Sequence, residues 1–537
     1  MAGLIFSYAT LAASIALLVF IPIAKHRRGK LTALKQLVPP GALLIFGSIF
    51  ITSLGLLHGS HNSPLLIPAS RFAPPVLAGD NYLPKVFADG VFAGHIPRPM
   101  HTDWLSSDRP PLQTGNSIWS YAWFSDDRDL TYVISSVILQ SSFLLGLWSL
   151  LAAFGIPRKL FIIAITTVFF SGFTYVNGFY TWPKLYPVAF LLVFAAYLLT
   201  GHFDKTKNRP GTGAILGGLA ALSMLGHGGS IFALLGIALS AVALRQRPTR
   251  SFLLTMAAVA LVVYLPWMLY QRLYDPPGDR LIKWHIAGVV APHPDVAITD
   301  LLVANYKRLT VRDIARLKLG NLKTVIGDLP QEGRTLRFML ASVSNGDAGG
   351  RDKAAASLRQ AIFFYWIPCI GFAILCPFAL LVARLCRCHQ QPAFLGASRM
   401  WLCTGLTVFL WCILMYGPNY TVVHQGTYLT VILAFAGSSL AFWAIRPRLA
   451  IGLAGAQIAY NAVLFILLSP SSIAPAGVRV IDPIFPGFRG MAAACFLSAC
   501  GFLAVLVHSG SIGDAVTSTI SEEAATAPGS SRAYIGR

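Results

Sequence analysis

About thirteen apolar segments recur along the chain, at 4–24, 40–58, 132–155, 160–177, 184–201, 211–226, 229–244, 251–270, 360–384, 400–416, 425–445, 448–469 and 486–508. A bilayer core about 30 Å thick takes about 20 helical residues. In lipid, every backbone N–H and C=O must be satisfied within its own segment. Each segment therefore reads as a helix, and the chain as an all-α, polytopic transmembrane protein of about 13 helices. Segments 211–226 and 229–244 are short for a crossing and read as tilted, thin or partly re-entrant. Composition agrees: 55% of residues are hydrophobic and 12% charged, where a soluble domain carries about 25% charged residues.

Lys and Arg number 42 against 21 Asp and Glu, a formal charge of +21. On a soluble chain that excess would point to nucleic acid. Here the cations gather at 25–30, 158–159, 205–209, 245–250, 384–389 and 446–448. Strict counting of the segments puts all six groups on one side, the pattern of short cytoplasmic loops. No nucleic-acid partner is expected; membrane lipids are. The same count puts 59–131, 178–183, 271–359, 417–425 and 470–485 on the exterior side. The N-terminus starts apolar and ends in KHRRGK, which reads as a retained helix with its first residue outside rather than a cleaved signal. The tail 509–537, rich in Ser, Ala, Glu and Gly, reads as a disordered cytoplasmic end. The expected organisation is therefore 1–58 (two helices), a first exterior loop 59–131, helices over 132–270, a second, partly helical exterior loop 271–359, helices over 360–508, and the tail. A bacterial inner membrane is the expected location. The eight Cys fall in apolar segments or at the basic end RLCRCH, so free thiols are expected. Neither a Walker A sequence nor a GxGxxG fingerprint is present.

The first exterior loop, GDNYLPKVFADGVFAGHIPRPMHTDWLSSDRPPLQTG at 79–115, concentrates Asp80, Asp89, Asp103, Asp108, Arg109, Lys85 and Tyr82 beside the bilayer. A carboxylate there can take a proton from an acceptor or hold a divalent ion, and Arg or Lys can hold a phosphate. Prolines 84, 97, 99, 110 and 111 stiffen the loop, as a preorganised site requires. The plain alternative is a polar surface connector.

Asp80, then Tyr82 and the amphipathic stretch KVFADGVFAG, then about thirty residues later Arg109-Pro110-Pro111-Leu112 together resemble the GT-C superfamily of membrane glycosyltransferases. The nearest branch holds the protein O-mannosyltransferases and the aminoarabinose transferase of lipid A. The resemblance covers about 35 residues. Arg109 stands where many relatives have Lys or His, and an extra N-terminal helix, 4–24, shifts the long loop from after the first span to after the second. The resemblance implies a GT-C-like core and an inverting transfer of sugar from a polyprenyl-phosphate donor to a polysaccharide, lipid or protein acceptor. It implies Asp80 as the catalytic carboxylate, with Arg109 beside it; Asp108 and Asp103 rank next. Relatives differ in using a divalent metal; for Mg or Mn the ligand candidates are Asp80 and Asp108.

Other exterior positions fit the same chemistry. In TYVNGFYTWPKLYP, Lys184 is a phosphate candidate and Trp182 a stacking surface for sugar or prenyl, although Trp and Lys also anchor helices at interfaces. His227, between two short segments in LGHGGS, is costly at membrane depth unless used. Arg280, Lys283 and His285 in YDPPGDRLIKWHIAG, and His424 in NYTVVHQ, complete the set. Two rivals stand beside the transferase: a transporter or flippase of an envelope lipid or glycan precursor, favoured by the Gly226–Gly229 break, and a non-catalytic partner in envelope polysaccharide assembly.

Overall fold

The computed structural model describes residues 8–9, 12–13, 27–57, 81–101, 103–124, 126–200, 208–289, 295–418, 428–468 and 487–526, with backbone alone for 27–35, His389, Phe488 and 512–526. Almost all of segment 4–24, together with Asp80 and His424, lies outside these residues.

Among the described residues the chain is helical, with no strand. In order come α1 Gln36–Gly55, α2 Leu83–Phe92, α3 Leu112–Tyr121, α4 Arg128–Ala153, α5 Lys159–Phe169, α6 Gly172–Phe179, α7 Pro187–Leu199, α8 Pro210–Gly226, α9 Ser230–Ala243 and α10 Arg250–Tyr274. Then follow α11 Arg280–Ala287, α12 Ile298–Lys307, α13 Val311–Ile326, α14 Leu329–Ser344, α15 Ala348–Phe364, α16 Trp366–Leu385, α17 Pro392–Leu414, α18 Tyr428–Ile445, α19 Pro447–Leu467 and α20 Phe488–Thr526.

Eight of these helices are long and apolar enough to cross a membrane, or nine if the bent pair α5–α6 is one span. From 40 onward each apolar segment is mainly helical where it is described, and among the described residues these segments supply eight or nine helices of full crossing length. Helices α7, α8 and α9 have 13, 17 and 14 residues. At 1.5 Å per residue they reach only about 20–26 Å. The segment 160–177 is not one helix: it bends by 64° at Phe170–Ser171. There the Ser171 hydroxyl accepts from the Thr174 N–H at 3.2 Å and starts α6 as an N-cap. The tail also differs from expectation, because α20 runs on to Thr526. Between Gly513 and Pro528 its run of Ser, Thr, Glu and Ala holds neither Gly nor Pro.

Helix α18 is the centre, with 89% of its apolar window buried, whereas α10 and α20 bury 11% and 17%. It packs on α5, α16, α17 and α19. Its few polar groups are paired: Thr430 Oγ1 accepts from Trp366 Nε1 at 2.9 Å, and Ser439 bonds Thr167 Oγ1 at 3.1 Å. On α10, Leu254, Leu261 and Val262 are exposed. A helix apolar all round yet packed on one side needs an apolar solvent, which makes this an integral membrane architecture.

The connections sort to two ends of the bundle. At one end, Asn208 Oδ1 accepts from the Thr249 N–H at 2.9 Å, and Arg399 reaches the Thr200 carbonyl at 3.2 Å. These are loops of the basic groups. At the other end the two long loops meet the turns after α6, α8 and α17.

Candidate functional site

The site is assembled from the two long loops and two short turns. Proline chemistry shapes its first part. Arg109 is extended (φ −120°, ψ 117°), as a residue before proline prefers. Pro110 and Pro111 then lead into α3, with Pro111 as its N-cap residue. Before them, Ser106–Asp108 forms one tight turn, and Asp108 Oδ2 accepts the Leu105 N–H at 2.9 Å.

That turn is clamped by the chain leaving α10. The Asp275 carboxylate is buried and accepts from Ser106 Oγ at 2.5 Å and from the Ser107 N–H at 3.1 Å. Arg98 Nε lies 3.1 Å from its other oxygen. Tyr270 Oη pairs with Ser106 Oγ at 2.6 Å, and Gln271 donates to the Ser107 carbonyl at 3.0 Å. Arg280, opening α11, is buried and bonds both the carbonyl and carboxylate of Asp103, with Asp108 Oδ2 at 3.3 Å. Arg109 lies 4.2 Å over the Trp104 ring. Burial pushes the Asp108 carboxyl above its ordinary range, against the pull of the Leu105 N–H, Arg280 and Arg109. Its Oδ1 is buried with no hydrogen-bond donor among the described residues.

The second part is the turn 180–186. Gln140, fully buried in α4, donates to the Trp182 carbonyl at 2.6 Å and accepts from the Leu185 and Tyr186 N–H groups at 2.9 Å. Gln113 Nε2 in α3 lies 2.8 Å from the Thr181 carbonyl, 2.9 Å from Tyr132 Oη and 3.0 Å from Ser136 Oγ, and its two hydrogens serve two of these acceptors at a time. Tyr132 Oη in turn donates to the Asn81 carbonyl at 2.6 Å, as does Thr181 Oγ1 at 3.1 Å. The residue after Asp80 is thus fastened to the turn that carries Lys184.

The cations converge here. Lys184 is buried with Nζ 2.9 Å above the Trp182 ring centre. His227, in the turn between α8 and α9, is held neutral first by burial and then by the positive charges of Lys184, Arg109 and His285. That influence brings four of the expected residues into one electrostatic neighbourhood. His285 stacks on Trp284, and its carbonyl accepts from Tyr416 N–H at 2.9 Å.

Other expected contacts have different duties. Lys85 bonds Asp89 at 2.6 Å and Asp129 at 2.9 Å; although burial works against its charge, these carboxylates hold its ammonium above the ordinary lysine range. Lys283 pairs with Asp279 at 2.9 Å. Arg280 is taken up by Asp103 and Asp108. Trp182 stacks on Phe363, carries Lys184 over its ring and is 1% exposed, so its ring offers no open face to a sugar. Tyr82 Oη meets His101 Nε2 at 3.3 Å. Asp80 and His424 cannot be placed, as they lie outside the described residues. Gln113, Tyr132, Gln140 and Asp275 were not singled out from sequence. Gln140 did carry a signal, since an amide within the apolar run 132–155 is costly unless it is bonded.

For a divalent ion, no group of three or more His, Cys, Asp or Glu converges among the described residues. Asp108 faces the Arg280 and Arg109 guanidiniums, a poor surrounding for a cation. No family model matches the chain, and no curated protein or solved structure matches it.

Proposed function

We propose that the protein is a membrane glycosyltransferase of GT-C type, transferring a sugar with inversion from a polyprenyl-phosphate donor to an envelope acceptor. The acceptor is a polysaccharide, lipid or protein, and the bundle end that carries the site faces outward from a bacterial inner membrane. The carrying observation is the fastening of Asn81, next to Asp80, to the Thr181–Lys184 turn, with Arg109 in the same electrostatic neighbourhood. The neighbour of the motif carboxylate, Asn81, and the turn bearing the buried Lys184 are distant in sequence and joined through Tyr132 and Thr181, which supports the reading.

In this reading the acceptor oxygen attacks the anomeric carbon as the bond from that carbon to the phosphate oxygen breaks. The phosphate leaves with the electron pair. Asp80 takes the acceptor's proton, a general-base role. Arg109 and Lys184 compensate the growing phosphate charge. His227, kept neutral, adds a polar contact without competing for the phosphate's proton balance. Arg280 and Asp275 hold the Ser106–Arg109 turn rather than the donor.

The test is transfer of radiolabelled sugar from polyprenyl-phosphate donors by the purified protein in nanodiscs. Asp80→Asn is expected to abolish transfer, and Lys184→Met to raise the donor KM with a smaller fall in kcat. Full transfer by Asp80→Asn would refute the assignment. The flippase reading, supported by the break between α8 and α9, expects the donor lipid to cross proteoliposomes with its sugar still attached.

A further inference from the structure

Helices α13 and α14, in the second long loop, each keep an apolar stripe that the other described residues leave exposed. On α13, at about 100° per residue, Ile314, Leu317, Lys318, Asn321 and Val325 form the arc facing the bundle. The next arc is Val311, Leu319, Leu322 and Ile326, all exposed. Directly beside it run Arg312, Arg316 and Lys323, also exposed. On α14, Leu329, Leu336, Leu340 and Val343 repeat the pattern as an exposed stripe with Arg337 on its flank. Residues 305–327 hold six Lys or Arg against one acidic residue, Asp313.

The height of α13 is fixed by its bonds. Asn321 Nδ2 donates to the Cys412 and Met415 carbonyls, both at 2.9 Å, and Lys318 Nζ to the Met415 carbonyl at 2.6 Å. These carbonyls belong to the end of α17, an apolar membrane-crossing helix. The helix therefore lies beside the end of a helix long and apolar enough to span a membrane.

We infer that α13 and α14 lie in the headgroup layer of the membrane, with their apolar stripes dipped toward the acyl chains and Arg312, Arg316, Lys323 and Arg337 bound to anionic lipid headgroups. An apolar stripe flanked by Lys and Arg is the pattern of an interfacial helix. The long cationic side chains reach phosphate while their stems cover apolar surface, and each cation near an anionic surface contributes about 1 kcal/mol. A second copy is the poorer occupant: a two-fold pairing of these stripes would oppose like-charged arcs. Cations on this end of the bundle run against the usual loop bias, which a loop longer than about 60 residues can override; headgroup binding supplies their use.

The test uses the full chain in nanodiscs of phosphatidylcholine, with or without phosphatidylglycerol, and with Cys386, Cys388 and Cys500 replaced by serine. Nitroxides are placed one at a time by Leu319→Cys, Leu322→Cys, Arg312→Cys and Leu340→Cys. Labels at 319, 322 and 340 should be accessible to oxygen and shielded from a water-soluble nickel chelate, at a depth of about 5–10 Å; the label at 312 should show the reverse. Combining Arg312→Gln, Arg316→Gln and Lys323→Gln should make the 319 and 322 labels shallower in phosphatidylglycerol discs and leave them little changed in phosphatidylcholine alone. Nickel accessibility at 319 and 322 equal to that of a label at 345 would overturn the inference, and so would immobilised, spin-coupled labels, which indicate a second copy. No depth change in the triple variant would overturn the headgroup-binding part. None of these readouts depends on sugar transfer.

Discussion

Thr181 sits at φ +59°, a left-handed conformation that costs a non-glycine residue about 1–2 kcal/mol and is rare for a β-branched one. It is held there from both sides, by Gln113 on its carbonyl and by its own hydroxyl on the Asn81 carbonyl. Substitution separates the two effects. Thr181→Gly removes the strain but also a hydrogen bond of about 1 kcal/mol, and it adds backbone entropy to the unfolded chain. Its stability should stay within about 1 kcal/mol of the parent's. Thr181→Val keeps the strain and loses the bond, so it should unfold more easily by about 1 kcal/mol. If the turn is held for catalysis, the glycine variant should still lose kcat. A glycine variant that is clearly more stable and fully active would show that the conformation serves no such purpose. Thermal unfolding beside turnover in nanodiscs decides. None of this was legible in the sequence. TWPK displayed its Lys and Trp, but a backbone angle and the amides that enforce it come from residues 41 and 68 positions away.

Helix packing supplies two further predictions. Gly213 and Gly217 lie one turn apart on the face of α8 toward α10, and a Cβ on Gly217 would overlap the Met256 carbonyl oxygen. Small residues at this spacing allow two backbones to approach closely in a membrane. Gly217→Ala should therefore cost about 1–3 kcal/mol as overpacking. Gly218→Ala, which meets nothing within 4 Å, should be neutral or slightly stabilising. Equal effects of the two on detergent-resistant thermal stability would contradict the close α8–α10 contact. In the first turn of α14, burial, with the Asp328 charge adding to it, pushes the Glu332 carboxyl from 4.5 to about 7. Its Oε1 has no hydrogen-bond donor among the described residues. The folded state thus binds this proton more tightly than the unfolded state. The associated stability is complete below about pH 4.5 and is lost as pH rises toward 7. Glu332→Gln should flatten that part of the pH profile; an unchanged slope would rule the group out. Hydropathy marked these elements well, because lipid forces apolar runs into helices. It missed the break at Phe170–Ser171, where one hydroxyl cap restarts the helix, while the shortness of 211–226 and 229–244 was legible from segment length alone. Among the site residues, Lys85–Asp89 and Lys283–Asp279 are i,i+4 pairs that helical spacing makes legible, while Arg280 is taken up by Asp108 and Asp103, 172 and 177 positions away, which no local spacing pairs with it.

For the molecule as a whole, the two-ended arrangement carries the functional proposal, because a sugar-transfer site and the six basic groups must lie on opposite faces. Asn208 is bonded to Arg247 and Thr249 at one end, and Cys386, exposed at the end of α16, lies in another of the basic groups. Asn345, exposed after α14, belongs to the second long loop at the other end. A membrane-impermeant maleimide applied to intact cells should label Asn345→Cys and leave Cys386 untouched until the membrane is permeabilised. Cys500, on the lipid-facing side of α20, should react poorly in both conditions, since thiolate formation is disfavoured in apolar surroundings. Labelling of residue 345 and Cys386 from the same face would remove the topological basis of the proposal, whatever the transfer assay gave. Labelling of Cys386 alone in intact cells would keep the two-ended architecture but place the site in the cytoplasm. The basic groups would then face outward, against the strong bias of short loops, and an exterior envelope acceptor would have to be abandoned.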